Sequence, residues 1–213
     1  MNATQVSLAT RDAGDGRIAL PSPEVETGKP VERTLNSRRS IREFSGETLS
    51  LAQVSQMLWA AQGQTSPRGF RTAPSAGALY PLDVYLAAGE IAGLPAGVYH
   101  YDPRDHALEK VAPEDRRRQL SDAALAQGWI RRAAAVIVLA AVFPRTTRKY
   151  GQRGHRYVHL EAGHAAQNVY LQAASLGLGT TTVGAFHDER VKAVLDLPQE
   201  AEPLCLLPVG RPG

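Results

Sequence analysis

A short basic segment of the chain has the residue types needed to hold a phosphate group. It reads Arg38-Arg39-Ser40-Ile41-Arg42-Glu43-Phe44, with three guanidinium groups and one hydroxyl within five positions. A guanidinium presents a planar fork of N–H donors that matches phosphate oxygens, and Ser40 can add a hydrogen bond to the same anion. The alternative is a solvated basic turn, because runs of charge usually face water. The segment predicts an anion site if other parts of the chain support one.

Two loops rich in small residues support a ligand site. One contains Pro74-Ser75-Ala76-Gly77, and the other contains Gly184-Ala185 after the segment 179–183. Small residues allow the backbone to approach a flat ligand closely. An ordinary turn is the alternative for the first loop taken by itself. A further cation, Arg211, follows the apolar segment 204–209.

Composition indicates one globular domain. The chain has 213 residues, of which 43% are hydrophobic, so it can bury one sizeable core and disorder is not expected. Its one cysteine, Cys205, lies in an apolar run, which excludes an intrachain disulfide and favours a buried structural thiol.

Charge and apolar content limit the classes of partner. The formal net charge is +3, and aromatic residues make up 6% of the chain, few for a nucleic-acid groove that stacks bases. We therefore expect a small bound anion rather than nucleic acid. Residues 1–20 lack the apolar core of a secretory signal. The longest apolar run, 133–143, is far short of the roughly 20 residues that span a membrane, so we expect a soluble cytoplasmic protein.

The order of predicted elements places the chain in the mixed α and β class, with a sheet flanked by helices. Residues 1–30 are polar and rich in Gly and Pro, and are interpreted as an N-terminal tail. Helices are predicted over 51–61 with Ser50 as N-cap, 113–126, 157–176 and 188–195. Strands are predicted over 82–88, 97–101, 107–111, 133–141 and 204–209, and a further one after Gly179.

The longest predicted helix carries small residues and histidines. Ala162, Gly163, Ala165 and Ala166 would allow a second helix to approach closely, as in a bundle centre or a subunit interface. Three histidines and Glu161 lie on or near this helix, at 155, 159 and 164. Residues 159 and 161 point to different helix faces and the spacing matches no zinc signature, so no metal site is predicted. Glu161 is expected to serve in helix packing or an interface.

Taken in order over residues 31–213, these pieces resemble the nitroreductase-like family of FMN-dependent oxidoreductases. Within that family they are closest to the SagB-type branch, the azoline dehydrogenases that mature thiazole and oxazole peptides. The resemblance implies an α+β nitroreductase-like fold, with a central mixed sheet flanked by helices and a long central helix near a dimer interface. It also implies a homodimer with two flavins at the interface, formed by an FMN-binding domain over residues 31–213.

The resemblance also implies roles for individual residues. Arg38, Arg39 and Ser40 would contact the phosphate, the ribityl chain and the ring edge, Arg42 would approach the pyrimidine side, and Arg211 would close on the phosphate. Pro74, Ser75, Ala76 and Gly77 would lie along the isoalloxazine ring. Gly184 and Ala185 would offer a backbone amide to the flavin nitrogen that accepts hydride.

Two features favour the azoline dehydrogenase branch. Nitro-reducing members commonly carry asparagine in the small-residue loop, where this chain has Ala78. Azoline dehydrogenases place an adjacent lysine and tyrosine before the long helix, as Lys149 and Tyr150 stand here, and use them to remove the proton that accompanies hydride loss. Such a base requires a lowered lysine pKa, which partial burial and nearby cations would provide. A surface Lys-Tyr pair in a basic loop is the alternative.

The expected function is hydride transfer between FMN and a small organic or peptide substrate, with azoline-to-azole oxidation as a candidate reaction. One alternative is an NAD(P)H-dependent quinone or nitroaromatic reductase. No Gly-x-Gly-x-x-Gly element follows a predicted strand, so NAD(P)H would act as a transient electron donor at the flavin. A non-catalytic flavin-binding protein is an alternative from another class, and a basic nucleic-acid-binding module is a third. The sequence names neither the substrate nor any partner cyclase or scaffold.

Overall fold

The main sheet of the computed structural model, which describes residues 16–26 and 29–213, has seven strands in the order β1-β6-β5-β3-β7-β9-β8. These strands are β1 (Arg17–Ala19), β3 (Leu82–Ala88), β5 (Gly97–Asp102), β6 (Ala107–Ala112), β7 (Ala135–Ala141), β8 (Gly179–Thr180) and β9 (Glu202–Gly210). A separate parallel pair is formed by β2 (Leu49–Ser50) and β4 (Ile91–Ala92). The described ladders of the main sheet are all antiparallel, so the α+β class is confirmed but the central sheet is not mixed.

Six helices accompany the sheet in the described part of the chain. They are α1 (Val31–Ser37), α2 (Leu51–Gln62), α3 (Arg117–Ala123), α4 (Pro144–Tyr150), α5 (Arg153–Leu176) and α6 (Asp188–Leu195). Ser50 caps α2 as predicted, in a capping box with Gln53. Gly177 ends α5 in the left-handed conformation, with φ 70°. Within the described ranges, no helix combines the length and apolar character that crossing a bilayer requires.

The sheet separates two hydrophobic clusters, and β7 contributes to both. Ile137 and Leu139 pack with residues of α2 and α5 on one face. Val136 and Val138 pack with residues of α3 and α6 on the other. Burying such a side chain stabilises the fold by about 1.5–3 kcal/mol. The wholly apolar sequence of β7 thus reflects a strand covered on both faces, as predicted.

Predicted boundaries hold for β3 and α6 and shift for two helices. α3 was predicted over 113–126 but spans Arg117–Ala123. It starts late because the Asp115 carboxylate accepts hydrogen bonds from the backbone and guanidinium of Arg117, and it stops early because Leu125 and Ala126 adopt φ 56°. α5 begins at Arg153, four residues before the predicted start.

Part of the predicted N-terminal tail belongs to the folded domain. β1 pairs with β6 at the sheet edge, and Arg17 forms ion pairs with Asp102, Asp105 and Glu109. The three-residue strand is too short to give a periodic signal, which is why the sequence did not predict it. Residues 1–15 and 27–28 of the predicted tail lie outside the described residues.

Candidate cofactor and active site

The predicted phosphate-binding segment is held in place by its backbone. It runs from the end of α1 toward α2, beside β8 and the end of β9. The Ile41 N–H donates to the Thr180 carbonyl at 3.0 Å, and the Ser45 N–H donates to the Arg211 carbonyl at 3.0 Å. These hydrogen bonds use only backbone groups of the segment. Its side chains therefore remain available to a ligand.

Tyr170 of α5 organises the polar groups next to this segment. Its hydroxyl lies 3.2 Å from Ser40 Oγ and accepts a hydrogen bond from the Thr182 N–H at 2.7 Å. Burial acts to raise the Tyr170 pKa, but hydrogen bonds with Ser40, Thr181 and Thr182 outweigh it, and the pKa lies below its usual value. The guanidinium of Arg38 lies 5.2 Å from the centre of the Tyr170 ring. Tyr170 therefore links Ser40 and Arg38 to the strand that leads to Gly184.

A cavity of about 250 Å³ adjoins these groups. Its lining includes Arg38, Arg39, Tyr170 and Thr180. Thr180 is buried, and its hydroxyl has no hydrogen-bond partner among the described residues. Buried hydroxyl groups normally have a hydrogen-bond partner. A partnerless hydroxyl in a cavity that is also lined by arginine therefore fits a site for an oxygen-rich anion.

The four arginines predicted to bind the cofactor differ in the contacts that their guanidinium groups make. Arg39 Nη1 donates to the carbonyls of Asn36 and Arg38, at 3.0 and 2.8 Å. Arg211 Nε lies 3.2 Å from a Glu47 carboxylate oxygen. Arg38 and Arg42 stack on aromatic rings, and within the described ranges their guanidinium N–H groups have no acceptor. Arg38 and Arg42 are therefore the cations most open to a ligand.

Gly184 and Ala185 lie in an exposed loop near the same groups. Val183 exchanges backbone hydrogen bonds with Leu206 at 2.8 and 2.9 Å, and the chain then leaves the sheet. The Ala185 carbonyl accepts a hydrogen bond from Gln127 Nε2 at 3.1 Å. The strand predicted after Gly179 is thus limited to β8 and one bridge at Val183. In the described part of the chain, the N–H groups of Gly184 and Ala185 have no acceptor, so both can donate to a ligand.

The small-residue loop has a strained backbone. Ala76–Ala78 form a 3-10 turn in which Gly77 has φ 64°, and Ala78 and Tyr80 follow with φ 52° and 46°. Glycine adopts this region freely, but each residue with a side chain costs about 1–2 kcal/mol there. The surrounding structure must therefore hold the loop in place, and strain of this kind is common at functional sites.

A buried carboxyl group holds the strained loop. Ser75 Oγ accepts the Tyr80 N–H at 2.9 Å, and the Ser75 side chain hydrogen-bonds to Glu161. Gln62 Nε2 donates to Glu161 Oε1 at 3.4 Å. Glu161 is only 2% exposed, and burial raises its pKa despite these hydrogen bonds and the charge of Arg71. Glu161 thus connects α5 and α2 to the loop.

Lys149 and Tyr150 lie against Gly77. From the position that a Cβ on Gly77 would occupy, Tyr150 Oη is 2.8 Å away and Lys149 Nζ is 3.0 Å away. A Cβ at position 77 would therefore displace the ends of these two side chains. The structure therefore brings the predicted catalytic pair to the predicted ring-binding loop. Lys149 is exposed in the single chain, so the partial burial expected for it is not found there.

Two residues of α5, Glu161 and Tyr170, contact different groups of the predicted cofactor residues. Glu161 contacts the small-residue loop, whereas Tyr170 contacts the phosphate-binding segment. Nine helical positions separate the two residues by about 13.5 Å along the axis and by about half a turn around it. They border the buried face of α5 on opposite sides. Within one chain, the two predicted parts of the cofactor site are therefore separated.

The sequence did not identify Tyr170 as a site residue, and it gave Glu161 a role only in helix packing or an interface. Glu161 did leave a signal, because it falls on the stripe of apolar helix positions that includes Val158, Ala162 and Ala165. A carboxylate on such a stripe indicates a buried polar partner. Tyr170 left no such signal, since a tyrosine at the edge of an amphipathic helix is common.

Two histidines of α5 pack against an aromatic ring. The rings of His155 and His159 lie 5.0 and 5.6 Å from the ring of Phe143. Among residues 16–26 and 29–213, no group of three or more His, Cys, Asp or Glu side chains is arranged to hold a metal ion. Cys205 is buried, and burial raises the pKa of its thiol to about 12, as suits a structural residue.

Comparison with known proteins identifies relatives across most of the chain. The nitroreductase-type protein MJ1384 of Methanocaldococcus jannaschii is 48% identical over 194 residues, covering 91% of this chain and 96% of that protein. The microcin B17-processing protein McbC of Escherichia coli is 31% identical over 159 residues, covering 71% of this chain and 58% of McbC.

Solved structures show the same fold. A nitroreductase-type protein of Ralstonia eutropha superposes with a TM-score of 0.82 at 32% identity, covering 96% of this chain and 93% of that one. A chain of the E. coli microcin synthetase McbBCD complex superposes with a TM-score of 0.71 at 26% identity, covering 100% and 85%. The sequence profile of the nitroreductase family matches residues 35–211. The chain belongs to the nitroreductase family of oxidoreductases.

Proposed function

We propose that this chain is an FMN-dependent oxidoreductase that transfers hydride between the flavin and a small organic or peptide substrate, with azoline-to-azole oxidation as the favoured reaction. The observation that carries the proposal is the contact of Lys149 and Tyr150 with Gly77. It sets a base and a hydroxyl beside the loop expected to lie along the flavin ring. The similarity to McbC, which processes microcin B17, supports a peptide substrate.

The residues of the phosphate-binding segment fit FMN. The phosphate would be held by the Thr180 hydroxyl, by Ser40 and by the guanidinium N–H groups of Arg38, which have no acceptor within the described ranges. The backbone N–H groups of Gly184 and Ala185 would donate to the ring. Bound FMN would supply the acceptor or donor of hydride.

The Lys149–Tyr150 pair suits the proton transfer that accompanies azoline oxidation. The ring loses a hydride from one carbon and a proton from its neighbour. Lys149 Nζ, when neutral, can accept that proton, and Tyr150 Oη can donate a hydrogen bond that orients the substrate. Lys149 is exposed in one chain, so a bound substrate or a second subunit would have to cover it during the reaction.

We infer a homodimer from the separation of the two cofactor-binding groups along α5. In a dimer, the small-residue loop of one copy could lie against the phosphate-binding segment of the other. Two-fold symmetry would then complete two equivalent cofactor sites. The outer face of α5 suits such a contact, since Leu160 is 54% exposed and Gly163 has no neighbouring atoms around its Cβ position. Ala162, Ala165 and Ala166, also predicted to admit a second helix, are buried within the chain itself.

A second candidate is an NAD(P)H-dependent reductase of quinones or nitroaromatics. It is favoured by the 48% identity to the nitroreductase-type protein of M. jannaschii over nearly its whole length. NAD(P)H and the second substrate would then use the same pocket in turn, with no need for a proton-abstracting lysine.

Anaerobic rapid mixing separates the two candidates. The oxidised protein is mixed with an azoline-containing peptide or with NADPH, and flavin absorbance is followed. Bleaching by the azoline peptide that is lost in Lys149→Ala supports the dehydrogenase. Rapid bleaching by NADPH alone, unchanged in Lys149→Ala, would favour the reductase.

A further inference from the structure

A cavity of about 450 Å³ lies where β3 begins and β5 ends. It adjoins the small-residue loop through Leu79 and Tyr80, but none of the predicted cofactor-binding or catalytic residues lines it. Apart from two tyrosines, its ionisable lining groups are Arg71, Asp83, His100, Asp102, Arg104 and Arg145. The volume falls in the range of about 300–1,000 Å³ typical of small-molecule sites.

Arg71 presents a fixed guanidinium to this cavity. Its Nη1 donates to Gln62 Oε1 at 3.0 Å and to the Leu82 carbonyl at 3.4 Å, and the group stacks 4.6 Å from the centre of the Tyr80 ring. Within the described ranges, its Nε and Nη2 have no acceptor. Burial lowers the Arg71 pKa despite the nearby charges of Asp83 and Glu161. The arginine is therefore held rigidly and incompletely neutralised.

The carboxylates that line the cavity are engaged elsewhere. Both oxygens of Asp83 accept hydrogen bonds from Arg145, at 2.7 and 2.9 Å. Asp102 pairs with Arg17 through one oxygen, and its other oxygen accepts the N–H groups of Arg104 and Asp105, at 2.9 and 3.4 Å. Neither carboxylate therefore forms a hydrogen bond or a close ion pair with Arg71.

Arg104 contributes a second cation without a partner. Its backbone is fixed in the turn after β5 by Asp102, while its guanidinium has no ion pair or hydrogen bond in the described part of the chain. It lies at the edge of the cavity, between it and a smaller one of about 310 Å³. Its side chain can therefore turn toward an anion in the larger cavity at little cost.

We propose that this cavity binds a small oxyanion, a carboxylate or a phosphate, held by the free edge of the Arg71 guanidinium and closed over by Arg104. A guanidinium edge carries two parallel N–H donors that match two oxygens of either group. Packing and hydrogen bonds already fix the Arg71 side chain. Its conformational entropy therefore falls little when the anion binds, which favours binding. This site is independent of flavin binding and of the oxidoreductase reaction.

The test is isothermal titration calorimetry on the full chain, with flavin content matched between samples and at constant ionic strength. Inorganic phosphate and succinate are titrated separately, and sodium chloride serves as the salt control. Arg104→Ala removes one cation from the rim without touching the core. Arg118→Ala, an exposed arginine of α3 that does not line this cavity, removes the same charge elsewhere.

We expect saturable binding of phosphate or succinate, weakened about tenfold by Arg104→Ala and unchanged by Arg118→Ala. Tighter binding of phosphate would identify a phosphate-bearing ligand, and tighter binding of succinate would identify a carboxylate-bearing one. The proposal is overturned if neither anion binds saturably, or if Arg104→Ala and Arg118→Ala weaken binding alike.

Discussion

Lys149 packs against Gly77, with its Nζ 3.0 Å from the point that a Cβ on Gly77 would occupy. The two residues lie on different elements, one on α4 and the other in the strained turn before β3. Their contact joins the predicted base to the predicted ring-binding loop. A glycine at position 77 leaves room for the lysine side chain. Substitution of either residue can therefore test the contact.

Removing the base should abolish proton transfer while sparing cofactor binding. In Lys149→Ala we expect oxidation of an azoline substrate to fall by about 10²–10⁴-fold, the usual contribution of a positioned general base. Tyr150→Phe should have a smaller effect, because only a hydrogen bond is lost. Steady-state rates and bound flavin are measured together. Equal rates in wild type and Lys149→Ala would remove Lys149 from the reaction.

A methyl group on Gly77 should disturb the site more than the fold. Gly77→Ala adds a Cβ within 2.8 Å of Tyr150 Oη at a residue with φ 64°, so both backbone strain and displacement of the catalytic pair are expected. Gly69→Ala is the matched control, because Gly69 has φ 80° but no atom within 4 Å of its Cβ position. Both variants should lose about 1–2 kcal/mol of unfolding free energy, measured in urea. Only Gly77→Ala should lose activity, and equal activities would show that the contact is dispensable.

The buried carboxyl of Glu161 should give the stability a specific pH dependence. Its pKa is raised in the folded state, so its contribution is fully present below the unfolded pKa and is lost as pH rises through the folded pKa. Glu161→Gln keeps an acceptor for Ser75 but cannot ionise. The unfolding free energy of wild type minus that of Glu161→Gln should therefore decrease as pH rises from about 4.3, and then level off.

Urea unfolding of both proteins at several pH values measures this difference. The other carboxylates contribute nearly equally to the unfolding free energy of both proteins, so their contributions cancel. A difference that stays constant with pH would show that Glu161 titrates normally. Glu161→Ala should be less stable than Glu161→Gln at every pH, because it leaves Ser75 and Gln62 without their acceptor.

The outer face of α5 should be buried in the proposed dimer. Leu160→Glu places a charge at its centre and should shift the protein from dimer to monomer, detected as a halving of molar mass by light scattering. Leu125→Glu is the control, because Leu125 is exposed to a similar extent, at 57%, and follows α3, which packs on the opposite face of the sheet from α5. A dimer that survives Leu160→Glu would place the interface elsewhere.

Local sequence patterns were sufficient for much of the fold. Ser50 with Gln53 specified the start of α2, Gly177 specified the end of α5, and the apolar run of β7 indicated a strand covered on both faces. These signals lie within a few residues of the feature they predict. β1 and α1 were missed because the segment before Arg38 combines short elements with polar composition.

The candidate site was predictable only in part. Residue types and spacing pointed to the Arg38–Arg42 segment, the small-residue loop and Lys149, each a local motif. The contacts that support them join distant positions, such as Ser40 with Tyr170, 130 residues apart, and Gln62 with Glu161, 99 apart. Side-chain pairing over such separations leaves no mark on local periodicity. The division of the cofactor residues between two sides of α5 was invisible for the same reason.

The central claim is that the phosphate-binding segment holds FMN, and the cofactor released on denaturation tests it most directly. Wild type and Arg38→Ala are saturated with FMN, desalted and denatured, and the released flavin is identified by chromatography and quantified per chain. We predict close to one FMN per wild-type chain and a dissociation constant about tenfold weaker, or more, in Arg38→Ala. A wild-type protein that retains no flavin, or an Arg38→Ala variant that retains it equally well, would contradict the claim.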